Sequence, residues 1–185
     1  NLYPGYFNYY YNIAGDCPSV DSIEIEVVEF LEASIIPQNG ICEGYSKLLL
    51  LDATNNGGTW SGDGVFNASA GSYNFGSYPS GTYNVIYQTP GLCNDIDTAE
   101  ISVFPNPEID FFISQDKPCL GSGINIENNS TNINNETFIW SINDSIYSSE
   151  QEPILLLELG SYIISVIVEN QYGCKTTQDY YETIN

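Results

Sequence analysis

The chain has 185 residues, 42% of them hydrophobic and 14% aromatic, which is enough apolar material for packed cores. It has 24 acidic residues and three lysines, with no arginine and no histidine, and the formal charge is -21. This balance excludes nucleic-acid binding, which needs clustered cations, and disfavours contact with anionic membranes. It also removes the commonest general base and metal ligand, so most enzyme chemistries are closed and we expect no catalytic residues.

No stretch of the sequence predicts a membrane span. The longest purely apolar run is Leu48 to Leu51, which suits a buried strand. We therefore expect no membrane insertion. Strand-like sequence begins almost at once and no signal peptide precedes it, so we expect the chain to belong to a longer exported precursor.

The predicted elements are short β-strands divided by turns. Tyr83, Val85 and Tyr87 alternate with Asn84 and Ile86, and a period of two recurs at 100–103, as half-buried strands require. Glycine and proline clusters at 56–58, 62–64 and 79–81 interrupt the chain at short intervals, and no window of 11 residues carries a helical stripe. The pattern predicts an all-β chain of Greek-key sandwiches.

An internal repeat organises the chain. The segment from Gly5 to Val27 recurs without a gap 76 residues later, and a looser third copy starts at Gly160 with two extra residues in its turn. The repeat predicts two complete sandwich modules, 30–105 and 106–185, preceded at 1–29 by the closing hairpin of a truncated one. Pro105 and Pro107 stiffen the predicted joint, so we expect an elongated, semi-rigid array.

The five cysteines follow the repeat. We predict that Cys42 pairs with Cys93 and Cys119 with Cys174, each bridge closing a loop of about 50 residues and stabilising its module by about 4 kcal/mol. The partner of Cys17 then lies outside the chain. With no Cys-x-x-Cys and no histidine, zinc binding is not expected.

Two aromatic pairs recur in the complete units. Trp60 and Trp140 are predicted core anchors on the third strand of each sandwich, with sugar stacking as the alternative. Tyr83 and Tyr162 fit tyrosine corners, in which the hydroxyl bonds back to the backbone. We count all four as core anchors.

The sequence resembles known surface-protein modules. Segment 57–65, reading GGTWSGDGV, with Gly81 to Tyr87 and Cys93, resembles the immunoglobulin-like repeats of large Bacteroidetes surface proteins. The last unit resembles a PKD (polycystic kidney disease) domain through Cys119, Trp140 and the run from Asn170 to Cys174. It departs from that family after the tryptophan, where Ser-Ile-Asn-Asp replaces the usual Asp-Phe-Gly-Asp.

The resemblance implies a location and a modification. Such arrays form stalks of gliding-motility adhesins of the SprB type, exported by the type IX secretion system, so the resemblance implies an extracellular cell-surface segment. It also implies O-glycosylation at Asp-Ser/Thr-aliphatic motifs, which here offer Ser22, Thr98 and Ser145. Ordinary strand-entry sequence is the alternative explanation of these motifs.

Calcium is the one cofactor that the acidic residues leave open. Carboxylate pairs at loop ends are typical calcium ligands, and the candidates are Asp95, Asp97, Asp110 and Asp116. No complete ligand signature accompanies them, and solvated surface charge is the favoured interpretation, so no cofactor is expected.

The expected function is that of a non-catalytic stalk or spacer in a large adhesin. Its partners would be neighbouring modules of the same polypeptide, with surface polysaccharide or other surface proteins as further candidates. Two alternatives stay open: an accessory, carbohydrate-binding module of a secreted hydrolase, and a calcium-dependent adhesion module.

Overall fold

The chain is all-β in the computed structural model, which describes residues 3–113, 123–134 and 136–184. No helix occurs in these ranges, and hence none able to cross a membrane. The strands are β1 (Gly5–Ile13), β2 (Ser19–Val27), β3 (Ile41–Cys42), β4 (Leu49–Leu50), β5 (Thr59–Gly62), β6 (Val65–Asn67), β7 (Ser72–Tyr73), β8 (Gly81–Gln88), β9 (Ile96–Phe104), β10 (Phe111–Ile113), β11 (Ile124–Asn128), β12 (Thr137–Ile142), β13 (Ser145–Ser148), β14 (Ile154–Leu155), β15 (Gly160–Glu169) and β16 (Lys175–Ile184).

The strands are divided between two compact units. The first unit comprises Asn1–Asn39, Lys47–Asn74 and Tyr83–Ile101, and the second comprises Gly40–Ser46, Phe75–Thr82 and Ser102–Asn185. Strands β8 and β9 contribute residues to both. The predicted module boundaries at residues 30 and 106 remain a prediction.

The second unit contains a β-sandwich. One sheet has the order β10-β11-β14 and the other has the order β13-β12-β15-β16. If β10 to β16 are named A, B, C, C′, E, F and G, the sheets read A-B-E and C′-C-F-G, which is an immunoglobulin-like Greek key. Alternate residues of both sheets meet in one core, formed by Phe111, Ile124, Ile126, Phe138, Trp140, Leu155, Ile164, Val166, Val168 and Ile184.

The first unit contains the sheet β4-β7-β6 and the pairing of β5 with β8. Trp60 on β5 lies opposite Tyr87 on β8, and their ring centroids are 4.5 Å apart. The Tyr87 hydroxyl accepts a hydrogen bond from the Gly58 amide at 2.9 Å and donates one to the Asn55 carbonyl. The buried apolar side chains of this unit are Ala33, Ile35, Leu51, Ala53, Trp60, Tyr73, Val85, Tyr87 and Ile101.

Strands β1 and β2 form a separate two-stranded sheet, paired from Gly5 with Val27 to Ile13 with Ser19. Residues opposite each other in an antiparallel pair point to the same face. One face therefore carries the apolar side chains Phe7, Tyr9, Tyr11, Ile13, Ile23, Ile25 and Val27, and the other carries Tyr6, Asn8, Tyr10, Asn12, Val20, Ser22, Glu24 and Glu26. Neither face is buried.

Candidate functional site

The candidate site is built around the disulfide Cys42–Cys174, both of whose residues belong to the second unit. Cys42 is the last residue of the two-residue strand β3, which pairs in parallel with the end of β9. This pairing places Cys42 opposite Phe104. Cys174 is fully buried and directly precedes β16.

The predicted pairing of the cysteines is wrong. Cys42 bonds Cys174, with 5.5 Å between their Cα atoms, whereas Cys93 and Cys17 are exposed free thiols. The reason is the parallel pairing of β3. Cys93 precedes the first residue of β9 and Cys42 is level with the last, and at about 3.3 Å per residue the two ends of β9 are about 26 Å apart. A disulfide needs Cα atoms within about 7 Å.

The predicted bridge from Cys119 is excluded as well, because Cys174 is already bonded. Cys119 itself lies outside the described residues.

An aromatic stack lies next to the disulfide. The rings of Phe104 and Tyr172 are parallel within 5° and their centroids are 4.2 Å apart. Gly40 approaches the same phenylalanine so closely that an added Cβ would lie 2.2 Å from the ring. Since no side chain fits there, glycine at position 40 lets the strand of Cys42 lie against Phe104.

Asn170 is the polar centre of this cluster. It is 95% buried, and its side-chain oxygen accepts hydrogen bonds from the amides of Tyr172 and Cys174, both at 3.1 Å. Its side-chain nitrogen donates to the carbonyl of Pro105 at 2.9 Å and to that of Asn132 at 3.4 Å. One amide therefore shapes the turn before the disulfide and holds the proline-containing segment beside it.

Thr89 has the same role in the first unit. Like Asn170, it is buried and follows the first strand of its hairpin. Its hydroxyl donates to the carbonyl of Leu31 at 2.9 Å and accepts from the amide of Asp95 at 2.8 Å. In both units, a buried polar side chain after the hairpin's first strand thus holds the segment that enters the repeat.

The acidic calcium candidates of the first unit act as hydrogen-bond acceptors. Asp95 accepts from the amide of Ala33 at 3.0 Å, and Asp97 accepts from that of Ile35 at 2.8 Å. The two carboxylates, two residues apart, thus accept hydrogen bonds from two backbone amides that are also two residues apart.

The remaining calcium candidates are Asp110 and Asp116. Asp110 donates its amide to the Ser130 hydroxyl at 3.0 Å, and Asp116 lies outside the described residues. Within the described ranges, no three cysteine or acidic side chains lie close enough together to hold a metal ion.

The predicted core anchors divide into two groups. Trp140 is fully buried and its indole N–H donates to the Glu150 carbonyl at 2.9 Å, and Trp60 is buried as well. Tyr83 and Tyr162 are only partly buried. Tyr162 packs against the edge of the core, and its hydroxyl donates to the carbonyl of Glu158 at 3.2 Å, the backward bond of a tyrosine corner. The buried indoles offer no platform for stacking a sugar.

The three glycosylation candidates are all exposed. Ser22 and Thr98 lie at equivalent positions, and the amide of each donates to the carboxylate of the preceding aspartate, at 2.9 and 2.8 Å. Ser145 follows a turn in which Asn143 and Asp144 have positive φ. Their accessibility is compatible with a glycan, and their modification remains a prediction.

Tyr6 and Tyr180 have a raised pKa. A hydrogen bond to the carboxylate of Glu26, the cross-strand neighbour, raises the pKa of Tyr6, and the negative charge of that carboxylate adds to the effect. Burial raises the pKa of Tyr180, and the charge of Asp110 raises it further.

Comparison with known proteins yields structural likeness alone. No protein-family model matches the chain, and no curated protein matches it. Among solved structures, fibronectin(III)-like modules of Clostridium thermocellum CbhA are 11% identical at a TM-score of 0.46, covering 83% of this chain and 94% of theirs.

Two further solved structures have lower TM-scores. A chimeric titin Z1Z2 tandem is 14% identical at a TM-score of 0.34, with coverage of 83% and 99%. Protocadherin gamma B7 extracellular cadherin domains 1–4 are 12% identical at a TM-score of 0.29, with coverage of 98% and 57%. At such scores these likenesses carry no functional conclusion, whereas the disulfide indicates an oxidising, extracellular setting.

Sequence reasoning missed the residues that build the cluster. Asn170, Thr89 and Phe104 were not singled out for a structural role. A signal for one of them was present, because Asn170 starts the run Asn-Gln-Tyr-Gly-Cys, in which an amide side chain can bond the amides two and four residues later.

Proposed function

We propose that the chain is a non-catalytic stalk segment of a large cell-surface adhesin, in which consecutive sandwich modules hold a functional tip away from the cell. In this proposal 30–105 and 106–185 are modules of one array. The resemblance to Bacteroidetes surface repeats favours a gliding-motility adhesin exported by type IX secretion, carrying O-glycans at Ser22, Thr98 and Ser145.

One observation carries the proposal. The disulfide Cys42–Cys174 closes residues 132 positions apart into one covalent loop, and the residues around it are committed to holding the backbone. A stalk must keep its length under tension, and a cross-link that encloses most of the chain limits how far the chain extends when its modules unfold. The charge of -21 supports the same role, because like charges keep neighbouring stalks apart.

Single-molecule stretching from the two termini tests the mechanical part of the proposal. With the disulfide intact, the loop from Cys42 to Cys174 holds 133 of the 185 residues, and the remaining 52, at 1–41 and 175–185, are free to extend. At about 3.6 Å per residue the released contour is about 190 Å, and after reduction it is about 670 Å. A Cys42→Ser, Cys174→Ser variant should give the long contour without reductant. If the oxidised chain also reached the long contour, the stalk would lack its covalent limit and the proposal would lose its main support.

Binding measurements separate the stalk from its two rivals. A glycan array probed with the intact chain should show no specific ligand, since a spacer needs none, whereas a carbohydrate-binding module would bind defined sugars. Analytical ultracentrifugation with and without calcium should give one sedimentation coefficient. Calcium-dependent self-association would favour an adhesion module and contradict the proposal.

A further inference from the structure

The apolar face of the β1–β2 hairpin is uncovered, although its repeat equivalents are buried. Tyr9, Tyr11 and Ile25 are 48%, 70% and 44% exposed. At the shift of 76 residues their equivalents are Val85, Tyr87 and Ile101, which are 0%, 1% and 1% exposed. The same side-chain pattern is thus a core face in one repeat and a bare face in another.

The equivalent hairpins show what kind of structure covers such a face. Strand β8 pairs with β5 along its free edge, and β15 pairs in the same way with β12. In the second unit, the sheet β10-β11-β14 then closes the core over the hairpin. The occupant that fits the bare face of β1–β2 is therefore the remaining strands of a sandwich repeat.

The cysteines indicate the same occupant of the bare face. In the observed bond, the hairpin-turn cysteine of the last repeat, Cys174, joins Cys42, the strand cysteine of the repeat before it. Cys93 occupies the hairpin-turn position one repeat earlier and is an exposed free thiol. By the same rule its partner is a cysteine equivalent to Cys42 in the repeat that β1–β2 closes.

The polar contacts beside the two turns agree with this rule. Asn170, four residues before Cys174, donates a hydrogen bond to the carbonyl of Pro105. Thr89, four residues before Cys93, donates one to the carbonyl of Leu31. Both carbonyls belong to the segment that follows the hairpin of the preceding repeat. The turn of Cys93 is thus anchored in the way that the turn of Cys174 is.

We infer that β1–β2 is the closing hairpin of a sandwich repeat N-terminal to it, and that a strand cysteine of that repeat forms a disulfide with Cys93. Successive repeats are then cross-linked, each hairpin turn to the strand cysteine of the repeat before. Each bond forms when two thiols lose two protons and two electrons, which pass to a disulfide oxidant such as a thiol–disulfide oxidoreductase or oxidised glutathione. The inference does not depend on the proposed function, since a carbohydrate-binding array could be linked in the same way.

Two extended chains test the inference. In the first, a second copy of residues 30–80 is joined directly to Gly5 of the 5–185 chain, because Gly5 is the equivalent of Gly81. Hydrogen exchange of β1 and β2 should slow by about 100-fold or more relative to the unmodified chain. Unchanged exchange would overturn the inference that sandwich strands of this kind cover the hairpin.

The second chain keeps the disulfide rule testable if the grafted strands fail to pack. It carries an added copy of 30–105 in front of 30–185, so that each hairpin retains the strands of its own repeat. Leu92→Ala in the added copy changes the mass of the peptide that contains its Cys93, so the two Cys93 peptides can be told apart. After oxidation with glutathione, the unmarked Cys93 peptide should be disulfide-bonded and the marked one free. A bonded marked peptide, with Cys174 joined to Cys119, would overturn the rule.

The unmodified chain supplies the control. Its Cys17 and Cys93 should both react with a maleimide without prior reduction, and it should sediment as a monomer. A stable dimer that Tyr11→Asp abolishes would assign the bare face to a second copy and overturn the inference.

Discussion

The buried side chain of Asn170 connects the turn before Cys174 to the segment at Pro105. Its side-chain oxygen accepts from two backbone amides and its side-chain nitrogen donates to two carbonyls, and the contact with the amide of Cys174 is buried. A buried polar group left unpaired costs more than an average hydrogen bond contributes. The main effect of removing the Asn170 side chain would therefore be to leave backbone groups of the Cys174 turn without hydrogen-bond partners.

Replacing Asn170 with alanine should lower the free energy of unfolding by about 2 to 4 kcal/mol, because several backbone groups lose their partners at once. Urea denaturation followed by tryptophan fluorescence measures the loss. The adjacent exposed Gln171→Ala is the matched control and should change stability by less than about 0.5 kcal/mol. Equal effects of the two variants would show that the buried amide has no special role.

Asp97 tests whether the acidic pair serves the backbone or an ion. Asp97→Ala removes the acceptor of the Ile35 amide and should cost about 1 to 3 kcal/mol, whereas Glu100→Ala on the same strand should cost little. Thermal melts with calcium and with a chelator should give the same midpoint for the unmodified chain. A midpoint that rises with calcium and loses this response in Asp97→Ala would contradict the backbone role.

Tyr180 makes the free energy of unfolding depend on pH in the alkaline range. Its pKa is raised in the folded chain, mainly by burial, while in the unfolded chain it ionises near pH 10. Above about pH 10 the unfolded chain therefore releases the proton first, and stability falls as pH rises. Tyr180→Phe should reduce this fall between pH 9.5 and 11 in urea denaturation, and the exposed Tyr181→Phe should not. An identical pH profile for Tyr180→Phe and the unmodified chain would contradict this assignment.

Among the strands, the β1–β2 hairpin differs from its repeat equivalents in packing. An isolated two-stranded hairpin is marginal in water, because main-chain hydrogen bonds alone do not offset the entropy of ordering it. The hairpins β8–β9 and β15–β16 obtain their stability from buried alternate residues, which β1–β2 lacks in this chain.

Matched tyrosines test this difference. Tyr87→Ala should destabilise the chain by about 3 to 5 kcal/mol, since it removes a buried ring that packs on Trp60. Tyr11→Ala, at the equivalent position of the exposed hairpin, should change stability by less than about 0.5 kcal/mol. Chemical denaturation of both variants measures the contrast. A large cost for Tyr11→Ala would mean that the hairpin already contributes a core.

Most strands could be predicted from the sequence, because long half-buried strands such as β8 and β15 keep a period of two and recur in the repeat. Trp60 and Trp140 were recognisable as core residues for the same reason. Strand β3 could not be predicted, since it has only two residues and its partner β9 lies about 60 residues further along the chain. Without that parallel pairing, Cys42 looks like a residue at the end of its own sandwich, and the wrong disulfide follows.

The role of Asn170 was hidden for a related reason. A single polar residue after a strand is typical of any turn, and its burial depends on the segment at Pro105, 65 residues earlier in the chain. The spacing to Cys174 suggests a local turn but does not reveal the long-range contact.

At the scale of the whole chain, one disulfide joins Cys42 and Cys174, which belong to successive repeats of the sequence. The proposed stalk and the proposed linkage of further repeats both depend on this bond. Pairing within each repeat would leave only Cys17 unpaired, whereas Cys17 and Cys93 are both free thiols.

Peptide mapping of the oxidised 185-residue chain under non-reducing conditions shows which cysteines are bonded to each other. After digestion at acidic residues, we predict a disulfide-linked pair of peptides that contain Cys42 and Cys174, with Cys17 and Cys93 alkylated as free thiols. A linked pair containing Cys42 and Cys93, together with one containing Cys119 and Cys174, would contradict this prediction.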